Sequence, residues 1–294
     1  MKVLVTGGSG FIGRSVLEEL LLRGHDVISL DLIEPSITVP FLVGDIRDLE
    51  TLRKAARGVD AIIHLAAIVS AVEAMEKPLD TFRTNVEGTL NVAEAARREN
   101  VKVIYAGSVA VYGEPKILPV SEDHPVHPTN VYGSTKLAGE SILLGYSGSY
   151  GLPVTSLRFF NVYGPHMKPG PYAGVIYKFL ERMREGKPLR IEGDGKQTRD
   201  FVYVEDVAKA VVLALESDAT GVYNVGTGRE ISILDLARLL FSLTGRDTGL
   251  EFAPPRPGDI RRSRADISKI RKLGWEPSFD LESGLKRTIE WFGL

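Results

Sequence analysis

From the first residues onward, short runs of apolar side chains alternate with longer stretches in which they recur every three or four positions. Residues 2–5 are apolar and partly β-branched, which predicts a buried strand. Val16, Leu17, Leu20 and Leu21 share one helical face, and Gly24 ends that helix. Residues 27–30 form the next strand, closed by Asp31. The alternation continues with strands at 41–43, 61–67 and 101–105 and helices at 49–56 and 78–97, the last containing Asn85. Another helix runs on from Tyr132, and 152–160 returns as a strand. Strands joined through helices lie parallel, so the pattern predicts an α/β fold of the Rossmann type, a doubly wound parallel sheet. Past residue 160 turn formers multiply (Asn161, Gly164, Pro165, Pro169, Gly170, Pro171), with helices at 175–183, 204–215 and 231–243 and a short strand at 189–191. This suggests a first domain of 1–161, with 199–221 packing back on it. A smaller C-terminal α/β substrate-binding lobe is expected from 162–198 and 222–294.

Ligands of such sheets bind at the carboxyl ends of the strands. Between the first strand and the first helix lies Gly7-Gly8-Ser9-Gly10-Phe11-Ile12-Gly13. Glycines at this spacing permit a tight turn and a close backbone approach to a pyrophosphate, which the free N–H groups of the following helix attract. Asp31 stands where a carboxylate accepts bonds from the adenosine ribose and repels a 2′-phosphate, which favours NAD over NADP. Asp45 either accepts from an adenine amino group or serves as a helix N-terminal charge. Small residues after His64 would let a cofactor lie against the backbone, and His64 itself reads as part of the packed layer. Ser108 closes the strand at 101–105.

Tyr132 and Lys136 are four apart on a helix and so share a face. An ammonium beside a phenol favours the phenolate, and a tyrosine tuned in this way can exchange a proton near neutral pH.

Composition narrows the picture. The 294 residues are 44% hydrophobic and 25% charged, with net charge −2. No nucleic-acid footprint or anionic-membrane patch is implied. The absence of cysteine excludes disulfides and thiolate chemistry. His124 and His127 sit in a proline-rich loop without further ligands nearby, so no metal is expected. No signal peptide or membrane span is apparent, and the expectation is a cytoplasmic protein.

Seven segments together carry a family resemblance: Thr6 to Gly13; His64-Leu65-Ala66-Ala67; Asn85-Val86-Glu87-Gly88-Thr89; Gly107-Ser108 with Val111-Tyr112-Gly113; Tyr132-Gly133-Ser134-Thr135-Lys136; Arg158 to Pro165; and Arg199 to Ala208. They resemble the extended short-chain dehydrogenase/reductase family, nearest to its UDP-glucose (UDP-galactose) 4-epimerases. The resemblance implies a retained NAD touched by Gly7, Gly10, Phe11, Ile12, Gly13, Asp31, Asp45, Ile46, Leu65, Ala66, Ala67, Asn85, Tyr132 and Lys136. It implies a UDP-sugar held by Ser108, Tyr132, Asn161, Val175, Leu189, Arg190, Arg199, Arg256 and Asp259. Tyr132 would be the base, Lys136 its modulator, and Ser108 the partner of the sugar 4-hydroxyl, with transient oxidation at C4 and hydride return. A homodimer through the helices around 80–98 and 132–148 is expected with it.

Departures from the family pattern sharpen this reading. Related dehydratases resemble Thr-Asp-Glu at 108–110, whereas this chain has Ser108, Val109 and Ala110 and no acid to drive loss of water. Gly107 replaces a serine common in the epimerases. Glu192 stands where an aromatic often stacks on the base, and Ser263 stands where a bulky residue would exclude N-acetyl sugars. Alternatives are another nucleotide-sugar epimerase or reductase of the family, or an NAD-binding regulator without turnover.

Overall fold

The structure, a computed structural model, describes residues 1–170, 173–255 and 260–294. The first six strands are β1 (Lys2–Thr6), β2 (Asp26–Asp31), β3 (Phe41–Val43), β4 (Ala61–His64), β5 (Lys102–Ser108) and β6 (Val154–Phe159). Four short strands follow, β7 (Asn161–Tyr163), β8 (Leu189–Glu192), β9 (Thr198–Arg199) and β10 (Phe201–Tyr203). Then come β11 (Gly221–Val225), β12 (Ile231–Ser232) and β13 (Leu250–Ala253). Seven strands form one sheet in the order β11-β6-β5-β4-β1-β2-β3, and every neighbour pair in it is parallel. The chain runs outward from β1 through β2 and β3, then returns to β4 on the other side of β1. That reversal opens the ligand crevice between the carboxyl ends of β1 and β4.

Helices α1 (Phe11–Leu22), α2 (Leu49–Ala55), α3 (Ala71–Glu76), α4 (Pro78–Phe82), α5 (Gly88–Glu99) and α6 (Val131–Tyr150) belong to the first half. The second half adds α7 (Val175–Arg184), α8 (Val204–Glu216), α9 (Ile233–Thr244), α10 (Ser268–Arg271) and α11 (Leu281–Phe292). Val16, Leu17 and Leu20 of α1 pack with Val207 and Val211 of α8 against one sheet face. Leu52 of α2, Val92 and Ala96 of α5 and Leu143 of α6 cover the other. A separate core around Tyr163, Phe179, Leu180, Leu236 and Leu285 builds the smaller lobe.

Three details depart from the pattern along the chain. The helix expected at 78–97 is interrupted between α4 and α5 by a wider π-helical turn, Arg83–Glu87. Such turns insert one residue and redirect side chains, frequently at functional sites; here the turn carries Asn85. The strand expected to reach residue 67 ends at His64, because the Ala66 N–H leaves the ladder for the Thr6 hydroxyl. The third difference concerns 222–294, expected to join 162–198 in the smaller lobe. β11 lies in the large sheet, paired with β6 from Gly221↔Thr155 to Val225↔Phe159. The C-terminal segment also returns to the main core through Ile267, Ile270 and Trp275, whose indole donates to the Asp206 carbonyl at 3.0 Å. Among the described residues no helix is long and apolar enough to cross a membrane.

Candidate active site

The glycine turn is built by close packing. Gly7 has φ +78°, and a Cβ there would lie 2.5 Å from the Ala66 nitrogen. A Cβ on Gly13 would lie 2.1 Å from the Gly7 carbonyl oxygen. Helix α1 therefore enters against the turn itself, with Phe11 and Ile12 in its first turn. Its N-cap, Gly10, offers no capping side chain, so the first N–H groups stay directed at the crevice, the arrangement that binds phosphate. Asp31 at the end of β2 accepts from Ser9 N at 3.0 Å and from Leu32 N at 2.7 Å. Leu32, Ile33 and Val43 beside it are exposed apolar side chains, suited to the face of a nucleobase. This cradle fits a dinucleotide: the turn would hold its diphosphate and Asp31 its adenosine ribose.

Asp45 stands further along the same rim. Its carboxylate is engaged by Arg47 through Nη2 at 2.5 Å and Nε at 2.9 Å, and this pairing holds it below the usual carboxylate range. The helix-capping role falls to Asp48, which accepts from Glu50 N at 3.0 Å. Of the two readings open for Asp45, the cap of α2 is thus taken by its neighbour. Ile46 is buried, and Leu65, Ala66 and Ala67 line the crevice just past β4.

Asn85 joins two walls of the site. Its amide accepts from Ile68 N at 2.8 Å, donates to Ile68 O at 2.9 Å and donates to Thr135 Oγ1 at 3.0 Å. The loop after β4 is thereby tied to α6. His64 is 1% exposed, with Thr6 Oγ1 2.8 Å from Nδ1 and Thr89 Oγ1 3.0 Å from Nε2. Burial, with a smaller push from Lys136, lowers its pKa to about 3. It is a neutral member of the packed layer.

Ser108, Tyr132 and Lys136 come together at the mouth of β5. The Ser108 hydroxyl accepts from Ala110 N at 3.2 Å and lies near enough to the Tyr132 phenol to favour its ionised form. Asn130 caps α6 by accepting from Gly133 N at 2.8 Å. A Cβ on Gly133 would lie 2.6 Å from the Ala110 carbonyl oxygen, so this glycine lets α6 press against the turn that follows Ser108. Lys136 is 4% exposed, with its Nζ 4.2 Å from the centre of the Tyr105 ring. Burial pushes its pKa down to about 7, opposed by the Glu140 carboxylate.

The expectation that Lys136 depresses the Tyr132 phenol is not met in this structure. Burial raises Tyr132, and nearby Ser108 offsets part of that rise. The physical reason is that desolvation disfavours the phenolate, while the lysine rests on the Tyr105 ring. Gly107 also has a structural cause, since a Cβ there would stand 2.8 Å from Ser156 Oγ.

The residues expected on the substrate side come from the second half. Asn161 opens β7, and its buried Oδ1 has no partner among the described residues. Ser263 is 3% exposed and its Oγ likewise has no partner among the described residues. Val175 begins α7. Leu189 is buried in β8, its N–H committed to the Gly249 carbonyl, and Arg190 is exposed. Arg199 donates to the carbonyls of Thr198 and Ile260, both at 2.7 Å. Glu192 lines a groove of about 610 Å³ with Asp194, Gln197, Pro255 and Arg261. Arg256 and Asp259 lie outside the described residues. Both ring nitrogens of His124 are engaged, by Lys116 N and the Pro125 carbonyl. Among the described residues no cluster of His, Cys, Asp or Glu is placed to hold a metal.

Residues 3–226 match the model of the NAD dependent epimerase/dehydratase family. The chain belongs to that family. The UDP-glucose 4-epimerase of Mycolicibacterium smegmatis is 39% identical over 99% of this chain and 98% of its own length. A UDP-N-acetyl-alpha-D-glucosaminuronate decarboxylase of Bacillus cytotoxicus is 35% identical over 99% and 97% of the two chains. Among solved structures, the UDP-glucose 4-epimerase of Thermotoga maritima with UDP-glucose is 38% identical. It superposes with a TM-score of 0.95 over 100% of this chain and 99% of that one. The UDP-N-acetylglucosamine 4-epimerase of Methanobrevibacter ruminantium is 35% identical, with a TM-score of 0.94 over 99% and 97%. The protein is therefore an enzyme of the NAD dependent epimerase/dehydratase family on a Rossmann-type fold.

Sequence reasoning leaves four contributors to this family site without a role. They are Asn130 as the cap of α6, Gly133 as its point of close approach, Tyr105 as the floor under Lys136, and Arg158 behind it. Asn130, three residues before Gly133 at the start of a helix, has a readable capping spacing; the others depend on contacts between distant segments.

Proposed function

We propose that the protein is an NAD-dependent UDP-glucose/UDP-galactose 4-epimerase, and the reading is carried by Ser108 at the end of β5 beside the start of α6, which bears Tyr132 and buried Lys136. Bound NAD supplies the acceptor for the C4 hydride and afterwards its donor. Ser108 and Tyr132 receive the sugar 4-hydroxyl, and Tyr132 takes its proton as the hydride leaves. The resulting 4-ketopyranose presents its other face, and Tyr132 returns the proton to the new 4-hydroxyl. Lys136 holds the nicotinamide ribose, and Asp31 the adenosine ribose. Asn161, Arg199 and Arg256 hold the diphosphate. Val175 and the backbone of Leu189 and Arg190 hold the uridine, with Asp259 at its ribose.

Beyond Ser108 the chain continues as Val109–Val111, a single tight turn with no carboxylate. That favours oxidation and return over elimination. The purified protein is expected to interconvert UDP-galactose and UDP-glucose without added reductant and without net NADH. Silence on both sugars would end this reading, and accumulation of NADH would replace it with a dehydrogenase. Buried, unpartnered Ser263 leaves room for an acetamido group, so UDP-GlcNAc and UDP-GalNAc are expected to interconvert as well. Strict rejection of that pair would remove the Ser263 assignment alone.

A homodimer belongs to the same proposal. Met75, Leu79, Phe82, Leu90 and Tyr150 expose apolar side chains on α3 to α6, a surface that a second copy would cover. Sedimentation is expected at twice the 32.2 kDa chain mass, and a monomer would reject the dimer.

A further inference from the structure

His64 has no part in the chemistry above, and its hydrogen bonds join two walls of the cofactor crevice. Thr6, His64, Asn85 and Thr89 are each 1% exposed or less. Thr6 on β1 and His64 on β4 are cross-strand partners, with Thr6 Oγ1 2.8 Å from Nδ1. On the other side of the ring, Thr89 Oγ1 lies 3.0 Å from Nε2. These positions allow one arrangement of protons. The Thr89 hydroxyl is 2.6 Å from the Asn85 carbonyl, which can only accept, so the hydroxyl proton lies on that bond. Nε2 must then donate to Thr89. Burial keeps the ring neutral, so Nδ1 carries no proton and accepts from the Thr6 hydroxyl. The Thr6 oxygen in turn accepts from Ala66 N at 3.4 Å. One directed chain thus runs from the Ala66 N–H through Thr6, His64 and Thr89 to the Asn85 carbonyl.

Each end of the chain seats a part of the site. Leu65 N donates to the Thr6 carbonyl at 3.0 Å, so Thr6 fixes both Leu65 and Ala66. The glycine turn packs directly on the Ala66 backbone, since a Cβ at Gly7 would lie 2.5 Å from Ala66 N. At the other end, α6 rests on the Thr89–Asn85 bond. A Cβ at Gly139 would lie 3.2 Å from both the Asn85 carbonyl oxygen and Thr89 Oγ1. The Asn85 amide reaches Thr135 Oγ1 at 3.0 Å, and that hydroxyl donates to the Tyr132 carbonyl at 2.9 Å. An apolar side chain would fill the same dry layer without the cost of desolvating an imidazole, so packing by itself does not call for a histidine.

We propose that His64, held as the Nε2–H tautomer, is a positioning residue that sets the glycine turn and the Tyr132 helix at a fixed separation across the crevice. Its bond from Thr6 serves cofactor binding, and its bond to Thr89 serves the placement of Tyr132. The second half rests on Tyr132 being the proton acceptor.

Nitrogen NMR of histidine-labelled, NAD-loaded protein reads the tautomer, with His64→Gln identifying the resonances. Two substitutions then divide the ring. Asparagine carries its amide oxygen two bonds from Cβ, as Nδ1 is, and glutamine its amide nitrogen three bonds from Cβ, as Nε2 is. His64→Asn therefore keeps an acceptor for Thr6 and loses the Thr89 bond, and His64→Gln does the reverse. His64→Gln is expected to weaken NAD binding about tenfold, the worth of one buried hydrogen bond. His64→Asn is expected to hold NAD within about threefold of wild type. Its kcat is expected to fall by about tenfold to a hundredfold, because a small misplacement of a reacting group is costly. A merely structural role would move NAD binding equally in the two variants. An Nδ1–H tautomer, equal NAD affinity in the two variants or full turnover in His64→Asn overturns the proposal. Should either variant fail to fold, Thr6→Val and Thr89→Val remove the same two bonds singly and are read by the same criteria. The tautomer and the NAD titration need no sugar, so they decide the proposal even where the UDP-sugar assay is silent.

Discussion

Tyr132→Phe is expected to lower turnover by about a hundredfold to ten-thousandfold, the range supplied by one well-placed acid–base group. The substitution removes a single oxygen. The ring keeps its place at the start of α6, which is capped by Asn130 and pressed on the Ser108 turn through Gly133. Ser108 keeps its bond from Ala110 N, so the oxygen proposed to meet the sugar stays where it is. NAD affinity is expected to change by less than about tenfold, because the glycine turn and Asp31 are untouched and one hydrogen bond contributes about 1 kcal/mol. A loss concentrated in turnover, with NAD binding retained, is therefore the signature. Steady-state rates beside a calorimetric titration with NAD provide the check, and wild-type turnover in the variant would remove Tyr132 from the chemistry.

Gly13→Ala is expected to have the opposite signature, a loss of cofactor binding together with stability. A Cβ at this position meets the Gly7 carbonyl oxygen at 2.1 Å and the Gly8 Cα at 2.8 Å. Both are backbone atoms of the turn and cannot rotate aside, so α1 must shift outward or the turn must open. Overpacking of this kind typically costs about 1–3 kcal/mol of stability. A shift of the first turn of α1 also withdraws the N–H groups aimed at the diphosphate. The expected result is a lower melting temperature and NAD binding weakened by about a hundredfold, equivalent to two or so hydrogen bonds at about 1.4 kcal/mol per tenfold. Gly24→Ala is the control. Its φ is +75° and a Cβ there meets nothing within 4 Å, so it costs stability through strain, about 1 kcal/mol, without touching the turn. Equal NAD affinity in Gly13→Ala and wild type would show that the turn tolerates what the geometry forbids.

The glycine turn is legible in the sequence because its physics is local: a strand, three glycines at fixed spacing and a helix follow one another between Lys2 and Leu22. Asp31 is legible for the same reason, as the acid that closes the next strand. Ser108 is found from its place at a strand end, and Tyr132 and Lys136 from helical spacing. Their placement at one crevice follows from the parallel βα alternation. The electrical state of the pair is not legible. Spacing puts a lysine and a tyrosine on one helical face, whereas burial decides how far each is shifted, and here burial is the largest cause of both shifts. Asp45 shows a similar limit. It is visible as an acid on the cofactor rim, but its engagement by Arg47 depends on a side-chain conformation that spacing does not specify.

By itself the sequence determined the fold class and the glycine turn, because periodicity and short spacing encode them, and it offered Ser108, Tyr132 and Lys136 as candidates. Only the tertiary structure decided that Asn85 clamps Ile68 to Thr135, that β11 closes the edge of the main sheet, and that Glu140 is held by Arg158 on the helix of Lys136. These are contacts between segments far apart in the chain, such as Asn85 with Thr135, 50 residues apart. Their strength comes from exclusion of water, and no pattern along the chain records which distant partner will share that dry space.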